Sequence, residues 1–312
     1  MLDYEEGSTR FSPWSQFSIL LLLSGFGLIA GSAISIFIAN GVLNVPLEKL
    51  PDALKNAKNA NLSRTLQFVS TFFFMAIPSF VFVRILNRNP FRYIGFNSAL
   101  SGKQVFFIVC IIFMGFFLSS ALSSINEMIP ISKSAETYFR NLEDEYNQEM
   151  MAIANMKSVQ DYLFSLLMIA LLPAIFEEML FRGALQPVLI NLSKSVFTGF
   201  FVTSILFSAI HASFYGFLPR LALGLIIGYI FYYSKNLWLA SITHFLYNAF
   251  GVTQMYALSM RGELTTEAMS NLSVHWAYGL LAAVSIYVIF KYFKRESEVV
   301  ISIYNHHNKR YL

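Results

Sequence analysis

Six polar residues lie within or beside long apolar runs of the sequence, where such groups are rare. They are Glu177, Glu178, Arg182, His211, His244 and Asn248. A charge inside a bilayer costs between about 2.5 and more than 10 kcal/mol, so these groups normally face the interior of a helical bundle and carry function. A purely structural polar cluster is the alternative. Because the residues occupy three separate apolar segments, we favour a functional site.

The acidic pair suggests two different roles. Glu178 and Arg182 are four residues apart with the acid first, the favourable order for an ion pair within a helix. We predict that Arg182 neutralises Glu178 and that this pair is structural. Glu177 is rotated by about 100° on the same helix and points elsewhere. A carboxylate without a cationic partner is free to accept a proton, so Glu177 is the predicted general base.

Two further spacings bear on the site. His244 and Asn248 are four residues apart, so an imidazole and an amide share one helix face and can donate hydrogen bonds to one oxyanion. Phe207 precedes His211 by four residues and would add an aromatic wall to the same pocket. Pro173, four residues before the predicted base, either kinks the helix and opens a pocket or begins a separate helix.

The three motifs together resemble a family signature. In chain order they are Glu177-Glu178-x-x-x-Arg182, Phe207-x-x-x-His211 and His244-x-x-x-Asn248. They are similar to the EExxxR, FxxxH and HxxxN motifs of the CPBP family, which groups CAAX prenyl endopeptidases with bacteriocin-processing and Abi-type proteins. The resemblance covers about residues 162–250. Each motif alone is weak, whereas the ordered set in a chain with several apolar segments is specific.

The resemblance implies an intramembrane endopeptidase that acts on a peptide or protein substrate. Glu177 and His211 would activate a water molecule, while His244 and Asn248 would stabilise the oxyanion. Family members are described both as metalloproteases and as metal-free glutamate proteases. Glu177, His211 and His244 are accordingly a candidate zinc set with water as fourth ligand, and the metal-free mechanism stays open.

Two other functions fit an intramembrane polar cluster. A proton- or cation-coupled transporter also uses buried glutamate and histidine residues, although the sequence shows no inverted repeat. A non-catalytic bacteriocin-immunity protein would keep the same fold. The complete motif set argues against a decayed site, so the protease is preferred.

The composition indicates a membrane protein. Of the 312 residues, 56% are hydrophobic and 13% are charged, against about 25% charged in soluble proteins. The net charge of +4 comes from scattered basic residues, which suits contact with membrane lipids and not binding to nucleic acid. The single cysteine, Cys110, excludes a disulfide scaffold.

The apolar runs predict an all-α, polytopic bundle of about eight membrane-spanning helices, each about 20 residues long. The predicted spans are 17–39, 64–84, 103–127, 161–191, 196–213, 217–233, 237–255 and 273–292. Gly224 and Gly228 lie one helical turn apart in the sixth span, a spacing that lets helices approach closely.

Three regions follow from this pattern. Residues 1–160 would form an N-terminal region of three spans with a polar loop or surface helix at 127–160, residues 161–255 the catalytic core, and residues 256–312 the last span and a basic tail. The leader 1–10 is too acidic for a signal peptide. We expect a multi-pass integral membrane protein, in the plasma membrane if bacterial, with both termini cytoplasmic.

Overall fold

The computed structural model describes residues 11–265, 268 and 275–308, and nearly all of them are helical. The long helices are α1 Pro13–Leu43, α2 Ala57–Leu86, α3 Gly102–Glu127, α4 Lys133–Ala154, α5 Val159–Ser193, α6 Val196–Ala209, α7 Phe217–Ser234, α8 Leu237–Arg261 and α9 Trp276–Asn308. Short helices at Leu50–Leu54 and Pro90–Ile94 connect α1 to α2 and α2 to α3. The leader 1–10 and the start of the predicted span 273–292 lie outside the described residues.

Six of the described helices are long and apolar enough to cross a membrane: α1, α2, α3, α5, α7 and α9. The prediction of a polytopic helical bundle is confirmed. Two of the eight predicted spans do not meet this description. The fifth, α6, has only 14 helical residues, and the apolar run of the seventh, α8, is interrupted by polar residues such as Ser241, Thr243, His244 and Asn248. The division of the chain into three regions stays a prediction.

The segment 127–160, predicted as a polar loop or a surface helix, mostly forms the helix α4. Ser132 begins this helix by accepting a hydrogen bond from the backbone N–H of Ala135, which satisfies a donor that the helix start leaves free. At the other end Arg64 of α2 donates to the carbonyl of Ile153 at 3.1 Å. In its first half Phe139 stacks on Phe214, in the loop after α6, with ring centroids 4.7 Å apart. Helix α4 therefore packs across the loop between α6 and α7.

Helix α5 runs without a break through Pro173, so the alternative that this proline begins a separate helix is wrong. A wider π-helical segment, Leu166–Leu171, precedes it and accommodates the missing backbone hydrogen bond. A second π-helical segment, Met179–Leu185, follows directly after the two glutamates. Such segments occur frequently at functional sites. The acidic pair lies on the short α-helical stretch between them.

Helices α5, α6 and α7 approach closely at the two glycines that the sequence singled out. A Cβ atom on Gly224 would lie 2.9 Å from the Cβ of Ser204 on α6, and one on Gly228 would lie 3.0 Å from Oε1 of Gln186 on α5. Because these glycines have no side chains, polar side chains of α5 reach the backbone of α7. Arg182 donates to the carbonyl of Gly224 at 3.0 Å, and Gln186 donates to that of Gly228 at 3.3 Å. The predicted close approach is confirmed.

Candidate active site

Glu178 is the centre of a fully buried polar cluster. Its Oε1 atom lies 3.1 Å from Nη1 of Arg182, which is the predicted ion pair, and 2.8 Å from Nδ1 of His244 on α8. The guanidinium of Arg182 also lies over the ring of Phe207, 4.7 Å from its centroid. Glu178 and Arg182 are both 0% exposed. The carboxylate therefore joins α5 to α8 as well as pairing with its own helix, a contact that the spacing of the motifs did not predict.

Glu177 does not pair with Arg182, and its carboxylate faces the other nitrogen of the His244 ring from that of Glu178. Its Oε2 atom is buried and has no hydrogen-bond partner among the described residues. Two imidazole nitrogens face this atom: Nε2 of His211 and Nε2 of His244, each 4.0 Å away. The structure therefore brings the carboxylate of Glu177 together with both motif histidines.

The position of His211 differs from the prediction. Helix α6 ends at Ala209, so His211 lies in the turn that follows and not within a span reaching residue 213. Its Nδ1 atom lies 2.8 Å from the carbonyl oxygen of Phe207, one of the acceptors that the end of a helix leaves free. Ala212 has a φ of 50°, which turns the chain sharply after the histidine. The end of α6 thus fixes the orientation of the His211 ring.

Phe207 separates the two imidazoles and fills the space behind them. Its ring is 1% exposed and packs edge to face against His211, at 5.3 Å between centroids, and against His244, at 5.5 Å. The predicted aromatic wall is therefore present. Because the same ring also contacts Arg182, it keeps water out of the region between the ion pair and the histidines.

The hydrogen bonds define what each imidazole can do. A carbonyl only accepts, so Nδ1 of His211 carries the proton and Nε2 of the neutral ring presents its lone pair towards Glu177. His244 donates through Nδ1 to the carboxylate of Glu178, and the imidazolium form of this ring has a second N–H donor at Nε2. One imidazole is thus suited to accept a hydrogen bond and the other to donate one.

The distances favour a water molecule over a zinc ion at the centre of these atoms. Two atoms 4.0 Å apart can both be bonded by one water about 2.8 Å from each, at an angle of about 90°. Zinc bonds of about 2.0–2.1 Å would require an angle of about 145° to 180°, far from tetrahedral. Among the residues described, no group of three or more His, Cys, Asp and Glu side chains is arranged to hold a metal ion.

A cavity of about 370 Å³ opens on these residues. Asn248, the last motif residue, lies half-buried in its wall, on the same side of α8 as His244. The sequence did not single out four other polar residues of the wall, which come from α2, α4, α7 and α8: Gln67, Tyr146, Arg220 and Tyr247. Only Arg220 had a signal in the sequence, a lone charge at the start of the sixth predicted span.

No curated protein and no solved structure matches the chain. A family model does match: residues 159–250 correspond to the family described as type II CAAX prenyl endopeptidase Rce1-like. This range runs from the start of α5 to the middle of α8 and holds all six predicted site residues. The resemblance to the CPBP family is thereby confirmed over residues 159–250.

Proposed function

We propose that this protein is an intramembrane endopeptidase in which Glu177 is the general base. The observation that carries the proposal is the buried Oε2 atom of Glu177, which has no partner among the described residues and faces Nε2 of both His211 and His244. A structural carboxylate in this position would be paired, as Glu178 is. An unpaired one beside a cavity is arranged to take a proton from a molecule that enters.

The mechanism follows from the hydrogen-bonding roles. A water molecule between Glu177 and His211 donates one proton towards each acceptor, which orients its lone pair towards the cavity. As the water oxygen bonds to the peptide carbonyl carbon, Glu177 takes its proton. The carbonyl oxygen becomes negative and accepts from Nε2–H of His244 and from the amide of Asn248. Collapse of this intermediate breaks the C–N bond, and Glu177 gives its proton to the leaving amine.

Glu178 and Arg182 support this step without touching the substrate. The carboxylate of Glu178 accepts from Nδ1 of His244 and so orients the ring. Arg182 pairs with that carboxylate and holds it in place. Both residues are therefore positioning residues, in agreement with the structural role that their spacing predicts.

The direct test is the variant Glu177→Gln, which keeps the shape of the side chain and removes the base. We expect cleavage to fall about 100-fold to 10,000-fold, with thermal unfolding in detergent close to that of the parent. Cleavage is measured on a library of apolar peptides by mass spectrometry. Glu136→Gln, at a side chain that is 44% exposed on α4, is the matched control and should cleave normally.

Two results would overturn the proposal. If Glu177→Gln keeps more than a tenth of the parent rate, the base lies elsewhere. If the parent cleaves no peptide but moves protons into proteoliposomes, and Glu177→Gln stops that movement, the carboxylate belongs to a transporter.

A further inference from the structure

Arg220 is a cation in the wall of the catalytic cavity that the proposed mechanism does not use. It lies in the first turn of α7 and is half-buried. Within the described ranges, no carboxylate oxygen lies within 4.0 Å of its nitrogens. Its contacts are one long bond from Nη1 to the carbonyl of Ser213, at 3.5 Å, and the ring of Tyr146, whose centroid lies 5.8 Å from Cζ.

A comparison with the other arginine of this core shows what is missing. Arg182 is 0% exposed, pairs with Glu178 at 3.1 Å and donates to the carbonyl of Gly224 at 3.0 Å. Arg220 has the same five N–H donors, but its contacts use few of them. A guanidinium so close to apolar surroundings is normally paired with an anion. The free donors of Arg220 therefore face a place where an anion can bind.

The local chain makes room for this guanidinium. Gly216, at the start of α7, has no side chain, and a Cβ atom there would collide with Nη1, Cζ and Nη2 of Arg220. The guanidinium thus lies against Gly216, in the loop that carries His211. The ring of Tyr146 of α4 lies over it, with its centroid 5.8 Å from Cζ. Both Gly216 and Tyr146 line the cavity, so the cation is held at the cavity wall.

We propose that Arg220 binds a carboxylate of the peptide substrate and thereby selects which peptides are cleaved. The inference rests on the proposed endopeptidase function and adds to it a determinant of specificity. A guanidinium matches a carboxylate with two parallel hydrogen bonds, which gives both affinity and orientation. A cavity of about 370 Å³ is near the lower end of ligand pockets, so the bound carboxylate would lie only a few bonds from the peptide bond that is cut.

A peptide can supply this carboxylate from its C-terminus or from an aspartate or glutamate side chain. The test therefore uses four matched peptide libraries of apolar sequence. Two libraries have a free C-terminal carboxylate and two have an amidated C-terminus. Within each pair, one library contains a single glutamate and the other has glutamine at that position. Cleavage is followed by mass spectrometry, and kcat/KM is measured for the best substrates. The parent is compared with Arg220→Gln and with Arg84→Gln, a control at an exposed arginine near the end of α2.

For the parent and for Arg84→Gln, we expect removal of the recognised carboxylate to lower kcat/KM by about 10-fold to 100-fold, mainly through KM. Arg220→Gln should cleave the charged and neutral peptides equally, at the parent's rate for the neutral ones. If amidation lowers kcat/KM, Arg220 binds the C-terminal carboxylate. If replacing glutamate by glutamine lowers kcat/KM, Arg220 binds the side-chain carboxylate. Equal cleavage of all four libraries by the parent would overturn the inference.

The inference and the proposed function fail in different ways. If the parent cleaves no library, the endopeptidase proposal fails, and binding of the same libraries to the parent still decides the role of Arg220. If the parent binds the carboxylate-containing peptides more tightly and Arg220→Gln abolishes this difference, the anion site is supported even though no peptide is cleaved. The same affinity for charged and neutral peptides would refute it.

Discussion

The buried ion pair between Glu178 and Arg182 makes a quantitative prediction for Arg182→Met. The change keeps a long apolar side chain but leaves the carboxylate of Glu178, which is 0% exposed, without its cation. It also removes the hydrogen bond to Gly224 and the contact with the ring of Phe207. One carboxylate oxygen, Oε2, already has no partner among the residues described. Within the described part of the chain, the compensating group that remains is His244.

Breaking a buried pair at one end costs about 3–5 kcal/mol. This corresponds to a change of about 150-fold to 5,000-fold in the ratio of folded to unfolded protein. For a chain of this size we expect the unfolding temperature to fall by on the order of 10 °C. The double variant Glu178→Leu with Arg182→Met leaves no buried charge in the pair and should recover most of this stability.

Activity should not recover with stability. In the double variant, Nδ1 of His244 loses the carboxylate that fixes its ring, so cleavage should stay about 100-fold to 10,000-fold below that of the parent. Thermal unfolding and peptide cleavage are measured on the same detergent preparation, with Arg84→Met as the control for losing an arginine. If Arg182→Met unfolds at the parent temperature yet is inactive, the pair belongs to the chemistry. If the double variant is no more stable than the single one, the buried charge does not determine stability.

Three further predictions concern the reaction. Asn248→Ala removes one donor to the oxyanion and should lower kcat by about 100-fold to 1,000-fold with little change in KM. A chelator that removes zinc should leave cleavage unchanged, because the spacing around Glu177 suits water and not a tetrahedral metal ion. The test is metal analysis and peptide cleavage before and after chelation. Glu143→Ala removes the acceptor of the 2.8 Å hydrogen bond from Ser213, two residues after His211, and should lower kcat about 10-fold by loosening that turn.

Each of these predictions has a result that contradicts it. A higher KM with a normal kcat in the Asn248 variant would show that this amide binds the substrate. Activity lost on chelation and restored by zinc would make Glu177, His211 and His244 metal ligands. A Glu143→Ala variant with the kinetics of the parent would show that α4 does not restrain the catalytic turn; Glu136→Ala, on the same helix, is its control.

The sequence predicted much of this site because motif residues spaced by four lie on one face of a helix. The separation of Glu177 from Glu178 and the pairing of Glu178 with Arg182 both follow from helix geometry alone. The bond between Glu178 and His244 joins residues 66 positions apart, and no local pattern determines such a contact. For the same reason Arg220 and Tyr146 could not be assigned to the cavity before the helices were packed.

Local signals also failed in two places. Apolar residues continue past Ala209, so hydropathy extended the fifth span over His211, although the chain turns there with a positive φ at Ala212. For the polar segment 127–160, local signals left a loop and a surface helix as alternatives, because its helix depends on the Ser132 cap and on packing against α2. Hydropathy measures the affinity of a segment for lipid. It does not predict where the chain turns or where a surface helix forms.

The hydrogen bonds that dock α7 onto α5 make the two helices unequal targets for mutation. The donors are the side chains of Arg182 and Gln186, whereas the acceptors are the backbone carbonyls of Gly224 and Gly228. No codon change on α7 can delete a carbonyl, so that helix loses the contact only when a larger residue forces the helices apart. On α5 any change of side-chain chemistry removes a bond. Random mutagenesis should therefore find positions 224 and 228 sensitive to size, and positions 182 and 186 sensitive to chemistry.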